Sequence, residues 1–156
     1  MKQGETAFQT MVLDLFAAKE AHAVNMEPGT TNPGIPDISW CLDGIVGQLE
    51  LKFGCGKRDR APHIRASQLV WFRERMKAGG YPMLGHYIEE PEFTDEVYLF
   101  QGRYIEQLAM CKKLDEIYEV PNLRIMNPGE LVEGLISEIA SWYDQENPQS
   151  QIVTLQ

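Results

Sequence analysis

Two carboxylates and a lysine lie close together in the first third of the chain. Asp37 ends the segment Gly34-Ile35-Pro36-Asp37, and Glu50-Leu51-Lys52 begins thirteen residues later. Carboxylates are oxygen ligands that Mg²⁺ accepts together with water and phosphate oxygens. A lysine beside them can stabilise the charge that develops on a phosphate in the transition state. The residue types therefore allow metal-assisted hydrolysis of a phosphate ester, provided that the fold brings the three side chains together.

A β-hairpin is the element expected to position these residues. Two apolar runs, 37–42 and 45–53, are separated by Asp43-Gly44. An Asp-Gly pair between such runs is typical of a two-residue type I′ turn. This turn would pair residues across the hairpin in a fixed register that follows from the sequence.

The predicted register places Asp37 opposite Glu50, with Lys52 on the same side because strand side chains alternate. Like charges directly opposite each other are destabilising, and a divalent cation between them is one reason to hold them there. The alternative is that Asp37 caps the preceding loop, while Glu50 and Lys52 form a charge pair at a strand edge. Three side chains are expected to point the other way, into the core: Leu49, Leu51 and Phe53.

Other elements follow from periodicity and from Gly and Pro positions. A short extended segment is expected at 22–26, and Pro and Gly predict a loop over 27–36. The predicted helices span 5–20, 65–78 and 103–114, with a last helix after Asn127-Pro128-Gly129-Glu130. Further strands are expected at 83–88, 97–101 and 123–126. We expect one α/β domain over 1–144, with a core at 5–88, an extension at 89–144 and a polar tail at 145–156.

These residues resemble the PD-(D/E)xK nuclease superfamily. Glu5 stands near the start of the first helix with Gln9 one turn later, and Gln68 lies in the helix after the lysine strand. This order is similar to that of virus-type replication–repair (VRR-NUC) nucleases and Holliday-junction resolvases. The resemblance covers residues 5–88, and residues 89–156 match no pattern of this kind. It implies a restriction-endonuclease-like core, with a central mixed sheet flanked by helices.

The resemblance also implies a set of metal ligands. Asp37 and Glu50 would bind Mg²⁺ or Mn²⁺, together with the backbone carbonyl of Leu51. Glu5 would reach the metal through water or bind a second ion. Glu20, at the far end of the same helix, and Glu27, in the following loop, are alternative candidates for the position of Glu5.

Two further roles come from the same resemblance. Lys52 would position or activate the water that attacks phosphorus. Gln68 would orient the site or contact the scissile phosphate.

Charge is unevenly distributed along a chain whose net charge is −9. Residues 51–79 have a balance of +6, whereas residues 80–156 have a balance of −10. A local basic segment can still bind a polyanion, because fields act over about 8 Å at physiological salt. The residues expected to contact DNA phosphates are Lys57, Arg58, Arg60 and Arg65. The basic residues further along the helix are expected to form its solvent face: Arg73, Arg75 and Lys77.

Composition restricts the setting of the protein. Three cysteines without framework spacing, Cys41, Cys55 and Cys111, favour a reducing intracellular environment. No apolar run approaches the ~18 residues of a membrane span, and the first residues do not resemble a signal peptide. We therefore expect a cytoplasmic protein, of a prokaryotic cell or a phage-infected host.

The function expected from the sequence is metal-dependent hydrolysis of DNA in phage or prokaryotic replication, recombination or repair. Structure-specific action on branched DNA and a homodimer are implied by the resemblance. The alternative is a non-catalytic binding or regulatory protein with the same fold, which would act on a protein partner through its acidic C-terminal half.

Overall fold

The computed structural model describes residues 3–26, 33–55, 60–89 and 95–149. Its α-helices are α1 (Gln3–Ala18), α2 (Ala66–Lys77), α3 (Ile105–Met110) and α4 (Leu131–Glu146). Its strands are β1 (His22–Asn25), β2 (Ile38–Leu42), β3 (Ile45–Cys55), β4 (Met83–Glu89), β5 (Glu96–Gln101) and β6 (Leu123–Ile125). No helix in these ranges is long and apolar enough to cross a bilayer.

The six strands form one mixed sheet in the order β1-β2-β3-β4-β5-β6. Strands β3 and β4 are parallel and the other neighbouring pairs are antiparallel. A parallel pair needs a crossover, and α2 provides it between these two strands. The predicted mixed sheet with flanking helices is therefore present.

The predicted hairpin has the predicted register. Ile38 pairs with Leu49 and Leu42 pairs with Ile45, across a turn in which Asp43 and Gly44 both have positive φ (50° and 81°). Positive φ at both central positions defines the type I′ turn. The pairing ends at Ile38 and Leu49, so Asp37 and Glu50 are the next residues on the two chains, just beyond the last pair.

Helices cover both faces of the sheet. On the first face, α1 buries the stripe Phe8, Val12 and Phe16, and α4 packs beside it. On the second face, Phe72 of α2 packs with Leu84 of β4 and with residues of α3. Glu50 and Lys52 share this second face, because they pair in register with Leu84 and His86 of β4. The two polar residues therefore lie on the side of the sheet that α2 covers.

The prediction of a helix over 103–114 was wrong in extent. A 3-10 turn occupies Gly102–Tyr104, and α3 ends at Met110. Cys111 is extended, and the Lys112 carbonyl accepts a hydrogen bond of 3.1 Å from the Ala61 amide, which turns the chain away from a helical path. A second 3-10 segment that the sequence did not predict follows at Asp115–Glu119.

The end of the chain differs slightly from the expectation. Helix α4 continues through Glu146, so it includes the first two residues of the predicted polar tail. Residues 150–156 lie outside the described part of the chain. Asn127 precedes this helix as predicted, and its side chain accepts a hydrogen bond of 3.1 Å from the Gly129 amide.

The loop that leads to Asp37 rests directly on the backbone of α2. Gly34 has φ of 93°, and a Cβ added there would lie 2.2 Å from the carbonyl oxygen of Ser67 and 2.9 Å from the amide nitrogen of Gln68. Only glycine permits both this conformation and this approach. Gly34 therefore sets the position of the Asp37 segment relative to the first turn of α2.

We expect Gly34→Ala to lower the free energy of unfolding much more than Gly79→Ala does. Both glycines have positive φ, which costs an L residue about 1–2 kcal/mol, but a Cβ at Gly79 would meet nothing within 4 Å. Gly34→Ala adds an overpacking cost of about 1–3 kcal/mol. Urea titrations of the two variants measure the difference, and equal losses would contradict the contact.

Candidate active site

Strand β3 is longer than its neighbour β2, and this leaves part of its edge open. The pairing with β2 stops at Leu49, whereas β3 continues to Cys55. Along residues 50–55 that edge pairs with none of the described strands. A cleft of about 510 Å³ opens there, and side chains from both faces of β3 line it.

The structure brings most of the residues predicted for the site to this cleft. The predicted residues that line it are Glu5, Asp37, Glu50, Leu51, Lys52 and Arg65. Three residues with no predicted site role also line it, Gln9, Phe53 and Pro62, and so does the exposed His63. Leu51 and Phe53, expected in the core, are only partly buried, because β2 does not extend far enough to cover them.

Asp37 is held by the backbone of β3. The Leu51 amide donates a hydrogen bond of 2.8 Å to Oδ2 of Asp37. Because the N–H and C=O of one strand residue point to the same edge, the Leu51 carbonyl also faces the open edge. Burial raises the pKa of Asp37, while the Leu51 hydrogen bond and the nearby Lys52 and Arg65 charges act in the opposite direction.

Glu50, Lys52 and Gln68 form a closed network under α2. Oε1 of Glu50 accepts hydrogen bonds from Nε2 of Gln68 and from Nζ of Lys52, the latter at 2.9 Å. Nζ of Lys52 also donates to Oε1 of Gln68 at 3.1 Å. Glu50 is 3% exposed and Gln68 1%. Burial raises the pKa of Glu50, Lys52 lowers it, and the charge of Asp37 raises it further.

Gln68 is oriented by its own helix. It is the third residue of α2, and its Oε1 accepts a hydrogen bond of 3.0 Å from the Arg65 amide just before the helix. This bond is half of a capping box, in which a side chain at this position satisfies a helix N-terminal donor. The amide nitrogen of Gln68 is thereby directed at Glu50.

Glu5 reaches the cleft from α1, on the other side of β3. The start of α1 can lie this close to β3 because residue 4 is glycine. A Cβ at Gly4 would lie 2.5 Å from the ring of Phe53. Glu5 and Asp37 both line the cleft, and the charge of Glu5 adds to burial in raising the pKa of Asp37. Of the two rival candidates, Glu20 is exposed beyond the end of α1 and does not line the cleft, and Glu27 lies outside the described residues.

The basic residues divide into two groups. Arg65 lines the cleft and Arg60 is exposed nearby in sequence, whereas Lys57 and Arg58 lie outside the described residues. Further along α2, Arg73 forms an exposed ion pair of 2.5 Å with Glu106. Nε of Arg75 donates a hydrogen bond of 3.0 Å to Gln48, and Lys77 is exposed.

His86 lies beside the network and was not singled out by the sequence. It is 2% exposed and sits between Lys52 and Tyr98 in the sheet. Neither ring nitrogen has a hydrogen bond of ordinary geometry within the described ranges. Burial lowers the pKa of His86 to about 4, the Lys52 charge adds to this, and the Lys52 backbone acts in the opposite direction.

The donor set of the cleft suits a hard divalent cation. Oδ1 of Asp37 and Oε2 of Glu50 accept no hydrogen bond from a described residue, since the bonds of these carboxylates go to Oδ2 and Oε1. No group of three or more His, Cys, Asp or Glu side chains in the described residues could hold a metal. Two carboxylates, a strand carbonyl and water are nevertheless a set that Mg²⁺ accepts.

Comparison with solved structures identifies the class of fold. The architecture is that of a resolvase-type α/β fold, with the restriction-endonuclease-like core that the sequence predicted. One match is the 1.6 Å structure of Hjc from Archaeoglobus fulgidus, a Holliday junction resolvase from an archaeal hyperthermophile. The TM-score is 0.51 at 13% sequence identity, over 75% of this chain and 94% of that one. No protein-family model and no curated protein sequence matches the chain.

We expect His86 to make the protein less stable in mild acid. Its folded pKa of about 4 lies below the ordinary histidine pKa of 6.5, so between these values the unfolded chain binds a proton that the folded protein excludes. The free energy of unfolding therefore falls as the pH drops from 6.5 to 4, by up to about 1.4 kcal/mol per pH unit from this residue.

Urea titrations of His86→Leu and wild type across this pH range isolate the contribution of His86. As the pH falls from 6.5 to 4, the free energy of unfolding of His86→Leu should rise steadily relative to that of wild type. His63→Asn, at an exposed position, is the matched control for the loss of an imidazole. Parallel curves for His86→Leu would show that the histidine is not kept neutral by burial.

Proposed function

We propose that this protein is a divalent-metal-dependent nuclease that hydrolyses phosphodiester bonds in DNA. The observation that carries the proposal is the convergence of Asp37, Glu50 and Lys52 on one cleft, at the open edge of β3. A buried carboxylate is costly unless it has a task or full compensation. Here two carboxylates with raised pKa face the same opening, and a bound cation would offset the cost of burying their charges.

Asp37, Glu50 and the Leu51 carbonyl are the proposed ligands of Mg²⁺ or Mn²⁺. When bound, such an ion polarises a phosphoryl oxygen and lowers the pKa of a coordinated water. The Leu51 amide donates its hydrogen bond to Oδ2 of Asp37, and no described residue donates one to Oδ1. Glu5, near Asp37, is proposed to act through water or on a second ion.

Lys52 is proposed to hold the attacking water and to stabilise the charge that develops on the phosphate. Its ammonium group is fixed by Glu50 at 2.9 Å and Gln68 at 3.1 Å, so it needs little reorganisation when substrate enters. Gln68 acts as a positioning residue for this lysine. Arg65 and Arg60, with Lys57 and Arg58, would bind the phosphates that flank the cut.

Branched DNA is the proposed substrate class, because the structural match is to a Holliday junction resolvase. A homodimer would place two clefts on one branched substrate and allow paired cuts. We propose a role in phage or prokaryotic replication, recombination or repair, in the cytoplasm of the cell or the infected host. The alternative, a non-catalytic protein that acts through its acidic C-terminal half, predicts no metal-dependent cleavage.

Asp37→Asn and Lys52→Met should each lower the cleavage rate by about 100-fold or more, because each removes a group that acts on the reacting phosphate. The assay uses labelled four-way junction, flap, single-strand and duplex DNA with Mg²⁺, Mn²⁺ or EDTA. EDTA should abolish cleavage by the wild type.

Glu106→Gln is the matched control for loss of a carboxylate. Glu106 lies in an exposed ion pair with Arg73 and does not line the cleft, so this variant should cut at the wild-type rate. Cleavage that survives in both site variants, or in EDTA, would contradict the proposed mechanism. Absence of cleavage by the wild type with either metal would favour the non-catalytic alternative.

Arg65→Ala should weaken DNA binding and reduce its salt dependence. Loss of one phosphate contact lowers the slope of log K against log salt by about 1. Binding titrations from low to moderate salt measure this slope, with Ca²⁺ in place of Mg²⁺. Arg73→Ala is the control, since Arg73 is paired with Glu106 away from the cleft; equal slopes for both variants would exclude a phosphate contact by Arg65.

A further inference from the structure

The cleft contains an aromatic ring as well as the polar residues proposed to hold a phosphate. Phe53 follows Lys52 on β3, and its side chain leaves the strand on the opposite face. Both residues line the same cleft because β2 ends before it can cover this part of β3. Pro62 adds a second apolar surface to the lining.

The ring of Phe53 is held firmly in place. It stacks on Tyr87 with centroids 5.5 Å apart and planes 12° from parallel, and Tyr87 packs in turn on Phe8 at 4.9 Å. The backbone of Gly4 meets the tip of the ring, where a Cβ would approach within 2.5 Å of Cζ. Phe53 is therefore a rigid ring that remains partly exposed toward the cleft.

A nucleotide fits a site in which a partly exposed, tightly packed aromatic ring lies beside carboxylates and a lysine. Bases stack on aromatic side chains with little dependence on sequence, because every base has a π face. The polar side of the cleft suits the phosphate of the same nucleotide. In an intact duplex the base is already stacked and paired, so it cannot also lie on a protein ring.

We propose that Phe53 stacks on an unpaired nucleobase next to the phosphate held at Asp37, Glu50 and Lys52. The inference rests on the proposed function, since it assigns the phosphate to that site, and it adds a specificity. The cleft takes DNA whose strand is single, frayed or unpaired at the point of cutting. A branch point supplies such nucleotides, and a continuous duplex does not.

The test combines a substitution of Phe53 in the protein with removal of the bases from the DNA. Affinities are measured by fluorescence anisotropy in Ca²⁺, for labelled oligo(dT) about 12 nucleotides long and for an abasic oligonucleotide of equal length. The abasic probe keeps every phosphate and lacks every base. Phe53→Leu should weaken binding of oligo(dT) by about 5- to 100-fold and leave binding of the abasic probe unchanged.

Two further variants separate stacking from folding. Phe53→His, measured at pH 8 where a free imidazole is neutral, keeps a flat ring without adding atoms at the Gly4 contact, and should retain most of the base preference. Tyr143→Leu removes an aromatic ring that is 46% exposed and does not line the cleft, and should bind both probes like wild type.

Equal losses on the two probes, or no preference of the wild type for bases, would overturn the stacking proposal. Failure of oligo(dT) to bind the wild type would overturn it as well. The cleavage assay decides the nuclease proposal separately. If the protein cleaves DNA but Phe53→Leu weakens both probes equally, only the stacking proposal is wrong. If Phe53→Leu weakens only oligo(dT) binding but the protein does not cleave DNA, only the nuclease proposal is wrong.

Discussion

The cleft depends on a difference in length between two neighbouring strands. Because β2 begins at Ile38, β3 loses its partner after Leu49 and continues alone on that side to Cys55. Both faces of the exposed edge become walls of one opening, and the backbone of Leu51 is available to Asp37. A longer β2 would pair with this edge and would bury the same residues in a continuous sheet.

The polar network under α2 shows how the fold tolerates charge at such depth. Glu50 is nearly as buried as the hydrophobic core residues around it, and an uncompensated carboxylate there would be strongly destabilising. Lys52 supplies the opposite charge and Gln68 supplies a donor, so one carboxylate oxygen is satisfied twice. The compensation is partial, since the pKa of Glu50 is still raised. A cation at the open side would complete it.

The sequence predicts the parts of the site that depend on local rules. Asp43-Gly44 determines the turn, the turn determines the register, and the register places Asp37, Glu50 and Lys52 together. The geometry of Gln68 depends instead on how α2 docks, which involves the distant contact between Gly34 and Ser67. The exposure of Phe53 could not be predicted from alternation, because alternation assigns a face and does not tell where the neighbouring strand stops. The early end of α3 likewise reflects a long-range hydrogen bond, from Ala61 to Lys112.

Gln68 caps the helix in which it lies, so the side chains of the site are ordered only while the first turn of α2 is formed. The oxygen that accepts the Arg65 amide also accepts Nζ of Lys52. Fraying of this first turn would release the lysine and deprive Glu50 of its amide donor in the same event. The Arg65 amide proton is thus a native reporter, whose exchange with solvent follows how often the ordered arrangement opens.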